Sequence, residues 1–283
     1  MPTQFLIVPV WQGSGSSRAM RLIDGADAIA GDLPARSTTR VEVPMEAGES
    51  LGTGVRRYAA LRTVHENVDA AAAPILSSGT TLVTVGGGCE ADGAVIARLA
   101  GDASGSLALL WFDAHADLHT PGTSPSGAFG GMALRALIGD GPEELASPSE
   151  GALPPSSIVL AGARALEDEE VSYIEANGIR SLGIADAESP GAVAEAVVAT
   201  GATRVYIHVD LDVLDPASID GVTAPEPFGL APAALVDAIV AVRRRLPLAG
   251  AGISGFAPAS PAAAADDLPA ILRVLGALTR PLV

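Results

Sequence analysis

Three observations predict an α/β fold built on a parallel sheet. Short apolar runs rich in Val, Ile and Leu recur along the 283 residues. Between them lie amphipathic stretches whose apolar residues return every three or four positions, the period of a helix with one buried face. Gly, Pro or Ser bounds the runs, as at strand ends. Strand and helix alternating in this way bury both faces of a sheet under helices.

The elements follow in order. A strand over Phe5–Val10 leads to a helix over Arg18–Ile29, and a strand over Arg40–Val43 to a helix over Gly54–Ala71. Leu82–Val85 and Leu107–Phe112 predict strands, followed by helices over Glu90–Leu99 and Gly131–Ile138. Strands at Ile158–Ala161 and Ser181–Gly183 precede helices at Glu167–Ala176 and Ala192–Ala199. The last pairs are Arg204–Val209 with Pro232–Leu246, and Gly250–Ser254 with Ala262–Leu278. Eight strands suit a closed barrel or an open sheet, and the pattern leaves both open. In either, function gathers at the carboxyl ends of the strands. Residues 141–157, rich in Ala, Ser and Pro, read as a surface loop, and residues 1–283 as one domain.

Composition narrows the function. A net charge of −16 repels phosphate backbones and argues against nucleic acid as a partner. The apolar runs are too short to span a bilayer, and the first residues lack the pattern of a secretory leader. Cys89 is the only cysteine, so no intramolecular disulfide forms, which suits a reducing compartment; the expected location is the cytoplasm. The chain contains no lysine, which excludes lysine chemistry.

Three motifs at strand ends carry chemistry. In Trp111-Phe112-Asp113-Ala114-His115-Ala116-Asp117, a buried apolar strand runs into three ligand-type side chains at alternate positions. In extended chain those three point the same way. In His208-Val209-Asp210-Leu211-Asp212-Val213-Leu214-Asp215-Pro216, Asp210 and Asp212 share a face, where two carboxylates repel unless a cation lies between them. Asp215, before Pro216, shapes a turn. In Val85-Gly86-Gly87-Gly88-Cys89-Glu90 a strand ends in glycines. A phosphate cradle is the rival reading there, but Ala91 stands where the dinucleotide pattern needs its last glycine. Taken alone, Cys89 reads as a small buried residue.

In order and spacing, these motifs resemble the arginase/agmatinase (ureohydrolase) family, over nearly the whole chain. The resemblance implies a three-layer α/β/α sandwich with an eight-stranded, mostly parallel sheet, so sheet rather than barrel. It implies two Mn2+ ions, with Asp113 and Asp210 as bridging carboxylates, His115 and Asp212 on one ion, and Asp117 on the other with position 89. It also implies attack of a metal-bridging hydroxide on a guanidino carbon. Carboxylate-rich sites suit manganese.

The chain departs from that pattern at three places. Cys89 replaces the family's first histidine, and a thiolate leaves the centre one charge more negative and its ions weaker Lewis acids. Gly130, in Ser126-Gly127-Ala128-Phe129-Gly130-Gly131, stands where the family carries a proton-shuttling histidine. Pro258 stands where it carries a glutamate that holds the guanidinium; Glu226 is the candidate replacement. These departures resemble the family members that cleave Nω-hydroxy-L-arginine to hydroxyurea and L-ornithine in D-cycloserine biosynthesis. An N-hydroxyguanidine is less basic than a guanidine and so more open to attack at neutral pH. By the same resemblance, Ser126 and His119 would hold the substrate carboxylate and Glu167 its α-amino group. Asp117 would pass a proton to the leaving amine, with His119 and His208 as further proton carriers; a buried structural role is the alternative for His208. The expected partner is a small guanidino amino acid, and a monomer is compatible with the sequence. An ordinary ureohydrolase and a non-catalytic metal-binding homologue remain the rival readings, and a nicotinamide-dependent oxidoreductase a remote one.

Overall fold

The structure is a computed structural model that describes residues 3–102 and 104–282. Its strands are β1 (Thr3–Val8), β2 (Thr38–Arg40), β3 (Thr81–Gly86), β4 (Leu107–Phe112), β5 (Ile158–Ala161), β6 (Arg180–Leu182), β7 (Arg204–Asp210) and β8 (Leu248–Ser254). They form one open sheet in the order β2-β1-β3-β8-β7-β4-β5-β6. Every neighbouring pair is parallel, so the expected mostly parallel sheet is parallel throughout the described residues.

Nine helices cover it: α1 (Arg21–Gly31), α2 (Tyr58–Ser77), α3 (Gly93–Ala100), α4 (Ala133–Leu137), α5 (Asp168–Asn177), α6 (Ile184–Ala187), α7 (Pro190–Val198), α8 (Pro232–Arg243) and α9 (Pro261–Thr279), all counted among the described residues. The period-two alternation of the strands divides the core in two. Phe5 and Ile7 of β1 pack with Ile29 of α1 and Leu275 of α9 on one face. Leu6 and Val8 pack with Leu61, Val64 and Val68 of α2 on the other. The result is the three-layer sandwich. The central strand β4 is buried along its whole length, which is why Leu-Ala-Leu-Leu-Trp-Phe carries no polar residue.

Differences from the sequence reading fall at the margins. α1 starts at Arg21, because residues 17–20 form a turn. α2 starts at Tyr58, after Arg57 takes a left-handed φ of 59° that ends the preceding loop. β2 lies at Thr38–Arg40, earlier than expected; the next N–H, of Val41, still donates to the Ile7 carbonyl (2.8 Å), and Gln12 Nε2 donates to the Pro44 carbonyl (2.6 Å). The short α6 was not expected, since one turn carries no readable period. No helix among the described residues is long and apolar enough to cross a membrane.

One buried acid ties the loop after β7 to the last helix. Asp267 on α9 accepts hydrogen bonds from the backbone N–H groups of Asp220 (3.2 Å) and Gly221 (2.8 Å), and so holds the loop after β7 against the helix. Removing it leaves two backbone donors without partners, at a cost of about 1–3 kcal/mol. Asp267→Ala is therefore expected to lower stability in urea titration by that amount; a change under about 0.5 kcal/mol would mean that water replaces the carboxylate without loss.

Candidate metal centre

The four strands β3, β8, β7 and β4 are consecutive in the sheet, and their carboxyl ends deliver every donor of the site. After β3 the chain passes between its neighbours: Gly87 N–H donates to the Val8 carbonyl (2.9 Å) and Gly255 N–H to the Gly87 carbonyl (2.9 Å). A Cβ on Gly87 would overlap the Val10 carbonyl. The glycines therefore serve close passage of backbone, and Cys89 follows in a short 3-10 turn.

Three side chains after β4 converge for a different reason from the one the spacing suggested. Residues 113–119 are irregular, and Asp117 has φ of 53°, so the segment is not extended. Asp113 turns back to accept from the His115 N–H (2.6 Å), while Asp212 Oδ1 accepts from the Ala114 N–H (3.0 Å). On β7, Asp210 Oδ1 accepts from the Asp212 N–H (3.0 Å). Asp210 also needs Gly255, where a Cβ would overlap its carboxylate and φ is +86°.

Two tight groups share Asp113. Cys89, Asp113, His208 and Asp210 form one, and Asp113, His115 and Asp212 the other; in each the donor atoms lie within 4.8 Å of one another. Asp210 Oδ2 accepts from the Cys89 thiol (3.0 Å) and the Ser254 hydroxyl (3.1 Å). Asp113 Oδ2 accepts from the Trp111 indole N–H (3.1 Å). His115 Nδ1 lies 3.0 Å from Asp212 Oδ2 and 3.4 Å from Asp113 Oδ1. Asp117 belongs to neither tight group, but it lines the same cavity, with Oδ2 buried and without a hydrogen-bond partner.

The electrostatics are those of a site that wants cations. Burial, then the charge of Asp212, pushes Asp210 up to about 6. Burial, then Asp113, pushes Asp212 up to about 6. Burial, Asp113 and other nearby carboxylates push Asp117 well above the usual carboxylate range. Burial and Asp210 hold the Cys89 thiol protonated. For His115 burial acts to lower the value, but hydrogen bonds to Asp113 and Asp212 prevail and lift it to about 12. Protons thus occupy positions between carboxylates that a divalent ion can take, and Cys89, Asp113, His115, Asp117, Asp210 and Asp212 have the donor chemistry to hold such ions.

A cavity of about 500 Å³ opens over these groups. Its wall carries His119, Ser126 and Glu167, so three of the four expected substrate contacts stand together. His119 is buried, with Nε2 3.4 Å from Glu167 Oε2 and Nδ1 3.1 Å from the Thr123 hydroxyl. Two expectations are corrected. His208 is fully buried and does not line the cavity: its ring stacks on Trp111 and Nδ1 meets Asp92 Oδ2 at 2.8 Å. It is closed off from solvent, which is the buried placement weighed for it as the alternative. Glu226 lines a separate hollow with Arg164 and Phe228. Its carbonyl is captured by Arg164 Nη2 (2.8 Å), which also binds the Asp212 carbonyl (2.8 Å) and so fixes the two loops side by side.

Four residues were missed. Arg164 is the clamp just described. Glu170, three positions after Glu167 in a helix-start pattern, accepts from the Leu118 N–H (3.1 Å) and the Glu167 N–H (3.1 Å), joining the rim to the Asp117 loop. Glu90 lines the cavity and accepts from the Gly13 N–H (2.9 Å); burial pushes it up to about 7. Asp92 is an acid at the start of an otherwise apolar helical run, the one signal that could have marked it as buried with a partner.

An open parallel sheet with clustered acid and imidazole donors at its central strand ends defines an α/β protein with a candidate metal centre. The model of the arginase family matches residues 16–268. An arginase of Bacillus caldovelox is 32% identical over 212 residues, covering 71% of this chain and 67% of the relative. Arginase of Staphylococcus aureus (strain COL) is 34% identical over 122 residues, 41% of this chain, and the match spans only 40% of that relative's length. The crystal structure of arginase from Bacillus cereus superposes with a TM-score of 0.84 at 22% identity, over 100% of both chains. The chain belongs to the arginase family.

The raised values set a pH dependence. Asp210, Asp212 and His115 all bind protons more tightly in the metal-free fold than in the unfolded chain. Their contribution to stability is present at low pH. It is lost as pH rises through about 6 for the two acids and, for His115, from about 6.5 upward. Divalent ions need those protons gone. In EDTA the melting temperature should fall between about pH 5 and about pH 8, while the increment given by added Mn2+ grows over the same interval. A Mn2+ increment that does not change with pH would show that ions and these protons do not compete.

Proposed function

We propose that the chain is a binuclear-metal amidinohydrolase that cleaves Nω-hydroxy-L-arginine to hydroxyurea and L-ornithine, holding two Mn2+ ions and working in the cytoplasm. The observation that carries this reading is a pair of replacements within an otherwise complete donor set. Cys89 stands in the donor cluster, and Gly130 stands on the cavity wall with no side chain to move a proton. A centre with a thiolate donor and no shuttle suits a substrate that is already neutral and reactive at the guanidino carbon. Hydroxyurea supply of the kind D-cycloserine biosynthesis requires is the fitting context.

Cys89, Asp113, Asp117, Asp210, Asp212 and His115 would hold the ions. When bound, these supply Lewis acidity and a water that ionises near neutral pH. The protein's own residues do the rest. Glu167 attracts the α-amino group and Ser126 the carboxylate, while His119 braces Glu167 from behind and offers an imidazole to the same end of the substrate. This fixes the amino-acid end at the rim and points the other end at the metal cluster. Asp117 Oδ2, unpartnered and buried in the cavity floor, holds the proton that the leaving amine of ornithine needs.

Ornithine release from Nω-hydroxy-L-arginine and from L-arginine, measured side by side on manganese-loaded protein, tests the reading. The hydroxylated substrate should be preferred at least about tenfold in kcat/KM, about 1.4 kcal/mol of transition-state stabilisation. Equal or better use of L-arginine would overturn the substrate assignment, and no ornithine from either would overturn the amidinohydrolase reading. Asp117→Asn should lower kcat by about 100-fold or more while elemental analysis still finds at least one metal per chain. A variant that retains most of its activity would remove the proton-holding role.

A further inference from the structure

His208 is the one imidazole of the central strands whose surroundings the cavity does not explain. It lies on β7, wholly buried, with its ring stacked on Trp111 at 3.6 Å between centroids and 15° between planes. Its Nδ1 lies 2.8 Å from Asp92 Oδ2, and Asp92 is itself buried. An ionised carboxylate can only accept, so Nδ1 donates to Asp92, and in the neutral ring Nε2 is the nitrogen left free to bind a cation. That Nε2 has no hydrogen-bond partner and no exposure to water. A ring nitrogen left unpartnered in a dry interior is costly unless something binds it.

What faces the ring is the first donor group. A ring nitrogen of His208, the Cys89 sulfur and one carboxylate oxygen each of Asp113 and Asp210 lie within 4.8 Å of one another. None of these is suited to satisfy Nε2. Asp113 and Asp210 are acceptors when ionised, and the Cys89 thiol already donates to Asp210. A divalent cation satisfies all four at once. The arrangement Asp92–His208 is also the one metal-binding histidines use, with the far ring N–H given to a carboxylate that fixes tautomer and orientation. The backbone makes room for it: a Cβ on Gly252 of β8 would overlap the Asp92 carboxylate.

We propose that His208 is a direct metal ligand through Nε2, sharing an ion with Cys89, Asp113 and Asp210, and that Asp92 is its positioning residue. An imidazole rising from β7 thereby replaces the one that Cys89 displaces at the end of β3. The proposal rests on the metal-centre part of the reading under Proposed function and is independent of the substrate named there.

The test is nuclear magnetic resonance of the full chain labelled with 15N-histidine and loaded with 113Cd2+, a diamagnetic ion that accepts thiolate, imidazole and carboxylate. Of the four histidines, two should show 113Cd–15N scalar splitting, His115 and His208, with the splitting of His208 on Nε2 and a retained proton on Nδ1. In His208→Gln only the His115 splitting should remain. Asp92→Asn should weaken Cd2+ binding, measured by chelator competition, by about 10–100-fold. The wild-type spectrum decides even where a variant fails to fold. Splitting at His115 alone, with both nitrogens of His208 protonated, would make His208 an imidazolium bridging Asp92 and the cluster and would overturn the proposal while leaving a metal centre in place. A chain that takes up no Cd2+ would remove the centre and this ligand together. Turnover assays report separately on the hydrolase.

Discussion

Mutual repulsion among Asp113, Asp117, Asp210 and Asp212 is the constraint on which the rest of the site depends. The four carboxylates are all buried, and they stand at the ends of adjacent central strands. Charges so placed would drive the strand ends apart or force protons onto the acids, and Asp117, Asp210 and Asp212 are all raised, first by burial and then by the charge of neighbouring acids in the set. A parallel sheet is the frame that can bear it. Asp210 ends the β7–β8 ladder, Asp113 and Asp212 follow strand ends by one or two residues, and the strands are packed on both faces, so no strand can retreat alone.

The backbone also feeds donors to the acids. The N–H groups of Ala114, His115 and Asp212, the Trp111 indole and the Ser254 hydroxyl each take one carboxylate oxygen, fixing where the remaining lone pairs point. Arg164 is close to the cluster but gives its hydrogen bonds to five carbonyls rather than to the acids. Among the described residues the guanidinium therefore binds the loops and leaves the acids for ions. Formation of the fold and formation of the donor set are one event, which links metal affinity to stability.

Much of this was legible in the sequence, and the reasons are local. Leu107–Phe112 and Ile158–Ala161 are found where they were expected, because a buried parallel strand is an apolar run with sharp polar ends. The acids at 113, 117, 210 and 212 stand out since charges right after such runs are costly. The geometry that gathers them was not legible: Asp117 reaches the cavity through a left-handed backbone, not through strand alternation. His208 shares the Asp210 face of β7 as the period requires, yet its partner Asp92 lies 116 residues away in sequence and only the fold brings them together. Glu226 looked like a spare acid near the right motif; two flanking prolines and the Arg164 clamp turn it to another hollow.

The rim and the metal cluster are mechanically one unit, and this bears on specificity. Glu170, at the start of α5, holds the Leu118 N–H with one oxygen and the Glu167 N–H with the other. Leu118 is next to Asp117 and His119, so a single buried side chain sets the position of a cluster acid, a rim imidazole and the rim acid that would meet an α-amino group. A substrate that is too short or too long for that fixed spacing cannot be accommodated by moving the rim alone, because shifting Glu167 pulls on the loop that carries Asp117. Discrimination by length would then come from backbone rigidity rather than from additional contacts. The chemistry at the guanidino end, where Cys89 and Gly130 depart from the family pattern, is left free to change without disturbing how the amino-acid end is held.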